Sequence, residues 1–295
     1  MNLFSDENRR NPFPLYDQLR LASPVLRVPP PMDAWMILDY EGVKWVLNDH
    51  DTFSSRVPAP PWFIFFDPPQ HTKLRALISR AFTPRMIAGL EARIRALSHQ
   101  LLDAVAGRGE MDLVADYATP LPMQVIAGMI GVPASDWPLY RHWSEVILRI
   151  SYSRSGGEEA AQVLRDFAAV TAEMQTYLAE QIRERRATPQ DDLLSGLIHA
   201  EVDGEHLSQR EILSFFQLLL VGGQETTTNL ISNAVVCLLD NPGQLARLRA
   251  APGLLVPAIE EVLRYRSPVQ WMLRRRGGKW NWADKGLAPA SYFWW

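Results

Sequence analysis

Apolar residues recur at helical spacing along most of the chain and alternate with polar ones only near its start. There, Val25 to Val28 and Trp35 to Leu38 flank Pro29, Pro30 and Pro31, which predicts a small hairpin. A short helix is predicted on each side, over Pro14 to Leu21 and Glu41 to Leu47. The stretch Asp51 to Pro69 is rich in proline and aromatics without any period, and reads as a long loop suited to a pocket wall. Helical patterns then follow over Gln70 to Phe82, Arg85 to Ala106, Leu121 to Ile130, Trp137 to Ile150, Glu158 to Arg186 and Leu193 to Ala200. Three more cover Glu211 to Leu239, Gln244 to Arg249 and Val256 to Tyr265. The expected fold class is mainly α with a small β region.

Of these segments, Glu211 to Leu239 is the most informative. Ser208 with Glu211 forms a capping box, and Asp240, Asn241, Pro242 and Gly243 close the segment. The enclosed helix would be roughly 30 residues and roughly 45 Å long. Its middle carries Gly222, Gly223, Gln224, Glu225, Thr226 and Thr227, where flanking leucines predict burial. Two glycines in a helix interior cost roughly 2 kcal/mol relative to alanine, so something must compensate. A flat ligand lying against the helix would do so, with Glu225 and Thr226 as a proton relay. The competing explanation is a close helix crossing, with the threonines bonding back to carbonyls.

Composition narrows the partners. The chain has 295 residues, 47% of them hydrophobic, a net charge of −3 and a pI near 6.1. One large domain is favoured, and no basic surface argues for nucleic acid. The start lacks a leader-like apolar run and no uninterrupted apolar stretch has membrane-span length, so a cytoplasmic protein without membrane attachment is expected. The single cysteine, Cys237, permits neither an intrachain disulfide nor a multi-cysteine metal site. Small molecules are the expected partners.

Two further pairs bear on chemistry. His71 and Arg75, four apart after Asp67, Pro68 and Pro69, can hold an anionic group, although taken alone such a pair is better explained by a solvated helix face, with Lys73 and Arg80 nearby. Glu261 and Arg264 lie three apart among Ile259, Val262 and Leu263, which suggests a buried and therefore paired couple. An ordinary surface ion pair is the alternative.

Order and spacing join these pieces. Asp67-Pro68-Pro69-x-His71-x-x-x-Arg75, Phe82-Thr83-Pro84, Gly222-Gly223-x-Glu225-Thr226-Thr227, Glu261-x-x-Arg264, and Pro268-Val269-Gln270 with Arg274 together resemble the bacterial cytochrome P-450 (haem-thiolate monooxygenase) family. The resemblance covers Asn11 to about Arg275. It implies a helical domain over 1–275, haem b as cofactor, a small apolar organic substrate and a ferredoxin-type electron donor. Gly222 and Gly223 would leave room for oxygen and substrate, Thr226 would serve oxygen activation, and Glu225 would feed protons toward it. His71, Arg75 and Arg274 match haem-propionate positions, and Glu261 with Arg264 matches a structural pair behind the haem. The loop Val57 to Phe66 and the segment Leu148 to Arg154 would border the substrate, with Trp62, Phe63, Phe65, Phe66 and Ile150 making it apolar.

After Arg275 the resemblance stops, and the C-terminal haem-thiolate part is not found. Cys237 cannot replace its cysteine: eleven residues beyond Thr226, it lies roughly 16 Å further along the same helix. The expectation is an inactive chain of poor solubility. Binding-class and regulatory alternatives are a non-catalytic helical small-molecule or haem-binding protein and a scaffold for a partner protein. The tail 276–295 holds Trp280, Trp282, Trp294 and Trp295 with no helical or strand period. Read one base earlier, the codons of Trp280 to Ala283 give Val or Met, then Glu, Leu and Gly, while Lys285 becomes Gln and the last two tryptophans become Leu and Val. A frameshift near Arg275 to Gly277 is therefore expected. Sequencing the gene across those codons checks it: a shifted frame that reaches no cysteine-containing loop refutes the idea.

Overall fold

The computed structural model describes residues 5–28, 34–57, 59–150, 157–276 and 292–294, arranged in two compact units. One unit is Met1–Thr72 with Val269–Trp295, and the other is Lys73–Pro268.

In the first unit, α1 (Asp6–Arg10) and α2 (Phe13–Ala22) precede the expected hairpin of β1 (Val25–Val28) and β2 (Ala34–Ile37). These strands pair antiparallel, with Val25 opposite Ile37. The alternation along β2 sends adjacent residues to different clusters: Met36 packs with Leu15 and Leu19 of α2, while Ile37 packs with Val46 of α3 (Tyr40–Asn48) and with Phe53. Asp39 caps α3 by accepting from the Gly42 amide at 2.8 Å. The loop that follows is more ordered than its composition predicts. Phe53–Ser54 forms a short strand, β3, and Phe63–Phe65 a single 3₁₀ turn. Asp67 organises this loop, since its carboxylate accepts from the Ser54 hydroxyl at 2.6 Å and the Ser55 amide at 2.7 Å.

The same unit holds β6 (Leu273–Arg276) and β7 (Tyr292–Trp294), which complete a five-stranded sheet in the order β1-β2-β7-β6-β3. β7 runs parallel to β2 and antiparallel to β6. Strand pairing is thus present within a tail whose sequence carries no strand period; three aromatic residues with high strand propensity are enough for so short an element. The remainder of the tail expectation, 277–291 and 295, lies outside the described residues, as do Pro29 to Pro31 and Ser151 to Arg154.

The second unit is helical. It takes in most of α4 (Gln70–Ala81), then α5 (Pro84–Ala106), α6 (Pro120–Ile130), α7 (Trp137–Leu148), α8 (Gly157–Ala187) and α9 (Leu193–His199). A minimal hairpin of β4 (Glu201–Val202) and β5 (Glu205–His206) turns at Asp203 and Gly204, both with positive φ. After it come α10 (Gln209–Leu220), α11 (Thr226–Asp240), α12 (Pro242–Ala250) and α13 (Leu255–Tyr265). The capping box at Ser208 and Glu211 is formed in both directions. Two π turns interrupt the regular pattern, Leu113–Ala118 before α6 and Val221–Glu225 between α10 and α11. The stretch Leu113–Ile130, interrupted by Asp116, Thr119, Pro120, Pro122 and Gln124, has the length and composition of a membrane span, yet it packs against α5 and α11.

Core formation is uneven along the long helical path. Ile212 to Leu218 and Leu220 are all buried, the polar Ser214 and Gln217 included, so beyond its first turn α10 is enclosed on every side. In α11 only Cys237 is buried, and Leu239 is 67% exposed. An apolar groove of about 500 Å³ opens there between α11, α12 and α13, lined by Cys237, Leu238, Leu248, Ile259 and Val262 among others.

A buried ion pair that sequence pattern alone did not single out joins three elements. Arg185 of α8, 2% exposed, donates from Nε to Asp192 Oδ2 at 2.8 Å, from Nη2 to the Gly131 carbonyl at 2.9 Å and from Nη1 to Gln181 Oε1 at 2.6 Å. Asp192 also caps α9 by accepting from the Ser195 amide at 2.7 Å. Gly131 takes φ +90° at the end of α6, and a Cβ there would meet Asp192 Oδ2 at 2.1 Å. Because every strong donor of Arg185 is matched, removing it leaves a buried carboxylate alone. Arg185→Ala should therefore lower stability by about 3–5 kcal/mol in urea titration, and a loss below about 1 kcal/mol would refute this assignment.

Candidate functional site

The π turn Val221–Glu225 sits where the sequence places its glycine pair, and a turn of this width inside an α-helix is a frequent mark of function. The two glycines play different parts. A Cβ on Gly222 would meet nothing within 4 Å, so this glycine faces open space. A Cβ on Gly223 would lie 2.5 Å from Ile126 Cδ1, so this glycine admits α6 to close packing. The open face expected for a flat ligand and the helix crossing expected as its competitor are therefore both present, one at each glycine.

Hydrogen bonds fix the turn. The Thr226 hydroxyl donates to the Gly222 carbonyl at 2.6 Å, a back-bond of the kind that bends helices. Its oxygen keeps lone pairs with which to accept from a ligand. Two residues on, the Thr228 hydroxyl donates to the Ala118 carbonyl at 2.9 Å and pins α11 to the other π turn. Within Val221–Glu225 the buried side chain is Gln224, which accepts from the Ser144 hydroxyl of α7. Glu225 is exposed, which corrects the expectation of a buried acid: across the π turn the 3.6-residue period that relates it to the preceding leucines no longer holds. The surrounding protein mass nevertheless raises its carboxyl above the ordinary value, through desolvation of the charged form.

The remaining predicted residues are placed as follows. His71 is partly exposed and stacks on Phe63, ring centroids 5.7 Å apart, while Arg75 one turn along α4 is exposed. Arg274 lies on β6, where burial lowers the guanidinium pKa and Asp67 opposes that shift. Trp62, expected at a substrate wall, is 4% exposed and stacked on Phe65. Glu261 and Arg264 form a two-pronged pair, both hydrogen bonds 2.7 Å, but the side chains are 59% and 68% exposed. The pairing holds and the predicted burial does not, because Val262 alone of α13 is buried. Cys237 is buried, and its thiol is pushed up chiefly by desolvation, with Arg266 opposing.

Comparison with known proteins gives this arrangement its context. A family profile for Cytochrome P450 matches residues 158–251, from α8 to the end of α12. Cytochrome P450 109 of Bacillus spizizenii is 40% identical over 269 residues, covering 91% of this chain and 66% of the relative. Among solved structures, Cytochrome P450 CYP109Q5 from Chondromyces apiculatus superposes with a TM-score of 0.87 at 37% identity, covering 100% of this chain and 75% of that one. The chain belongs to the cytochrome P450 family. CYP109E1 from Bacillus megaterium, solved in complex with testosterone, is likewise similar, with a TM-score of 0.85 and 36% identity over 96% of this chain and 75% of that one. The sequence thus spans about two thirds to three quarters of the P450 relatives it matches.

Three residues that hold the turn, Gln224 within it, Ser144 of α7 and Thr228 of α11, are not marked as such by the sequence. Gln224 occupies the unspecified place of its motif, and the partner Ser144 is 80 positions away, a separation that periodicity does not bridge. Thr228 was visible only as one more hydroxyl after Thr226 and Thr227. The unequal glycines lead to opposite outcomes on substitution. Gly222→Ala should stabilise by up to about 1 kcal/mol through helix propensity, whereas Gly223→Ala should destabilise by about 1–3 kcal/mol through overpacking on Ile126. Thermal melts of the two variants check this, and equal shifts of the same sign would refute it.

Proposed function

We propose that this protein is a haem-dependent monooxygenase, an oxidoreductase that inserts one oxygen atom from O2 into a small apolar organic substrate, with electrons from a ferredoxin-type partner in the cytoplasm. The observation that carries the reading is the π turn, with open space at Gly222 and the Thr226 hydroxyl closed onto the Gly222 carbonyl. A flat group fits such a surface, because no side chain projects from the position of approach. Arg75, in the same unit as the turn, carries a guanidinium of the kind that suits a carboxylate of haem b. When bound, haem supplies the iron at which dioxygen is activated.

The chain's own groups then have distinct tasks. Thr226, its proton committed to Gly222, accepts a hydrogen bond on the open side. Glu225, with a carboxyl held above its usual range, retains a proton at higher pH than a free glutamate and can pass it inward from solvent. Glu261 and Arg264 hold α13 together without touching substrate.

The axial ligand is where these 295 residues do not fit. The one cysteine, Cys237, is buried beside the α12–α13 groove, eleven residues and roughly 16 Å beyond Thr226 along the same helix, out of reach of a group resting at Gly222. A polypeptide of this sequence alone is therefore inactive as a haem-thiolate enzyme. The reduced, carbon-monoxide-treated protein reconstituted with hemin should show no thiolate-type Soret band, and the appearance of that band would overturn the statement. Tight hemin or substrate binding by the same chain without the band would favour the non-catalytic carrier.

A further inference from the structure

We propose that Gln224 is a positioning residue: through its hydrogen bond with Ser144 it ties the π turn, and the Thr226 hydroxyl with it, to helix α7. The argument starts from what the turn has to hold on with. Gly222 and Gly223 bring no side chain, Glu225 points to solvent, and Val221 is only partly buried. Gln224, 4% exposed, is the buried side chain of the turn, and Ser144, 1% exposed, is its partner. A hydrogen bond between two buried groups is directional and expensive to break, because neither can turn to water instead. Apolar contacts such as Ile126 against Gly223 resist approach but allow sliding. The Ser144 bond opposes sliding as well.

The other end of the segment is held independently, since Thr228 donates to Ala118 at 2.9 Å. Thr226 lies between these two tethers, and its own bond to Gly222 at 2.6 Å closes the wide turn. Displacing α7 would therefore move one tether while the other stays, and the change would fall on the turn that carries Thr226. α7 is itself coupled outward: Trp143, next to Ser144, donates from Nε1 to Glu173 of α8 at 3.0 Å. At its C-terminal end α7 reaches Leu148, the start of the segment expected to border the substrate. The placement of the Thr226 hydroxyl thus follows the placement of α7. The catalytic meaning of this link rests on the proposed function, whereas the mechanical link does not.

Hydrogen exchange followed by mass spectrometry on the full 295-residue chain tests it with Ser144→Ala, Gln224→Met and the double variant. Amides of residues 221–228 should exchange about tenfold faster in either single variant. The double variant should be no faster than the singles, and Gln224→Met should also speed exchange in α7, as reciprocal coupling requires. Ser144→Thr, which keeps the hydroxyl, should restore slow exchange. An increase spread evenly over α8 and α9, or additive single effects, would overturn the proposal. Gln224→Met preserves side-chain volume and reports on the link even if Ser144→Ala does not fold. Hemin titration of the unsubstituted chain reads the cofactor assignment separately: no hemin uptake with local, non-additive exchange would remove that assignment and leave the link standing.

Discussion

One widened turn in one long helix sets what the second unit can do. A regular α-helix from Gln209 to Asp240 would close its ladder at every residue and present a continuous wall of side chains. At Val221–Glu225 the ladder is wider, the glycines remove the wall at that point, and hydroxyls replace part of the lost backbone bonding. Such a turn is costly in isolation, so it persists only because its surroundings hold it. Ile126 fills the space left at Gly223, Ser144 holds Gln224, and Ala118 receives Thr228. Other helices of the unit are thereby placed to serve the turn: α6 must approach closely, α7 must put a small hydroxyl in reach, and the Leu113–Ala118 turn must offer a carbonyl.

The same helix changes character on either side of that turn. Its first half is surrounded by apolar neighbours, while its second half leaves Val236 39% and Leu239 67% exposed beside the groove of α12 and α13. Leu255 and Val256 of α13 add to that surface at 54% and 68% exposed. Contiguous apolar exposure of this kind is unusual for a monomeric soluble protein. It also explains the solvent-facing Glu261–Arg264 pair, whose helix is apolar enough to suggest burial but is packed on one side only.

Much of this was legible in the sequence. Helices as long as α5, α8 and the α10–α11 path carry enough periods for a reliable reading, and the Ser208–Glu211 box and the Asp203-Gly204 turn are chemical signatures that fix their ends. Family membership was legible because five motifs stand in order. What was not legible was non-local. The bond from Ser144 to Gln224, the hydrogen bonds of Arg185 to Asp192, Gly131 and Gln181 and the inward packing of Trp62 depend on elements brought together by folding, and nothing in the local pattern distinguishes Arg185 from the exposed Arg183 two positions earlier. The exposure of Glu225 is likewise a matter of which way one residue faces across a π turn, where the 3.6-residue period no longer applies. Strand β7 escaped notice for a simpler reason, since three residues are too few to show alternation.

The sulfur chemistry follows from the same geometry. For a cysteine on the central helix to serve a group resting at Gly222, it would have to lie within a turn or so of that glycine, face the open side and sit in a setting that favours thiolate. Cys237 meets none of these conditions. It is about 16 Å beyond Thr226 along the axis, it faces the α12–α13 groove, and burial raises its thiol pKa against the opposing pull of Arg266. If a flat ligand rests at Gly222, this helix offers it hydroxyl, carboxyl and open space, and any metal ligand would come from a different element.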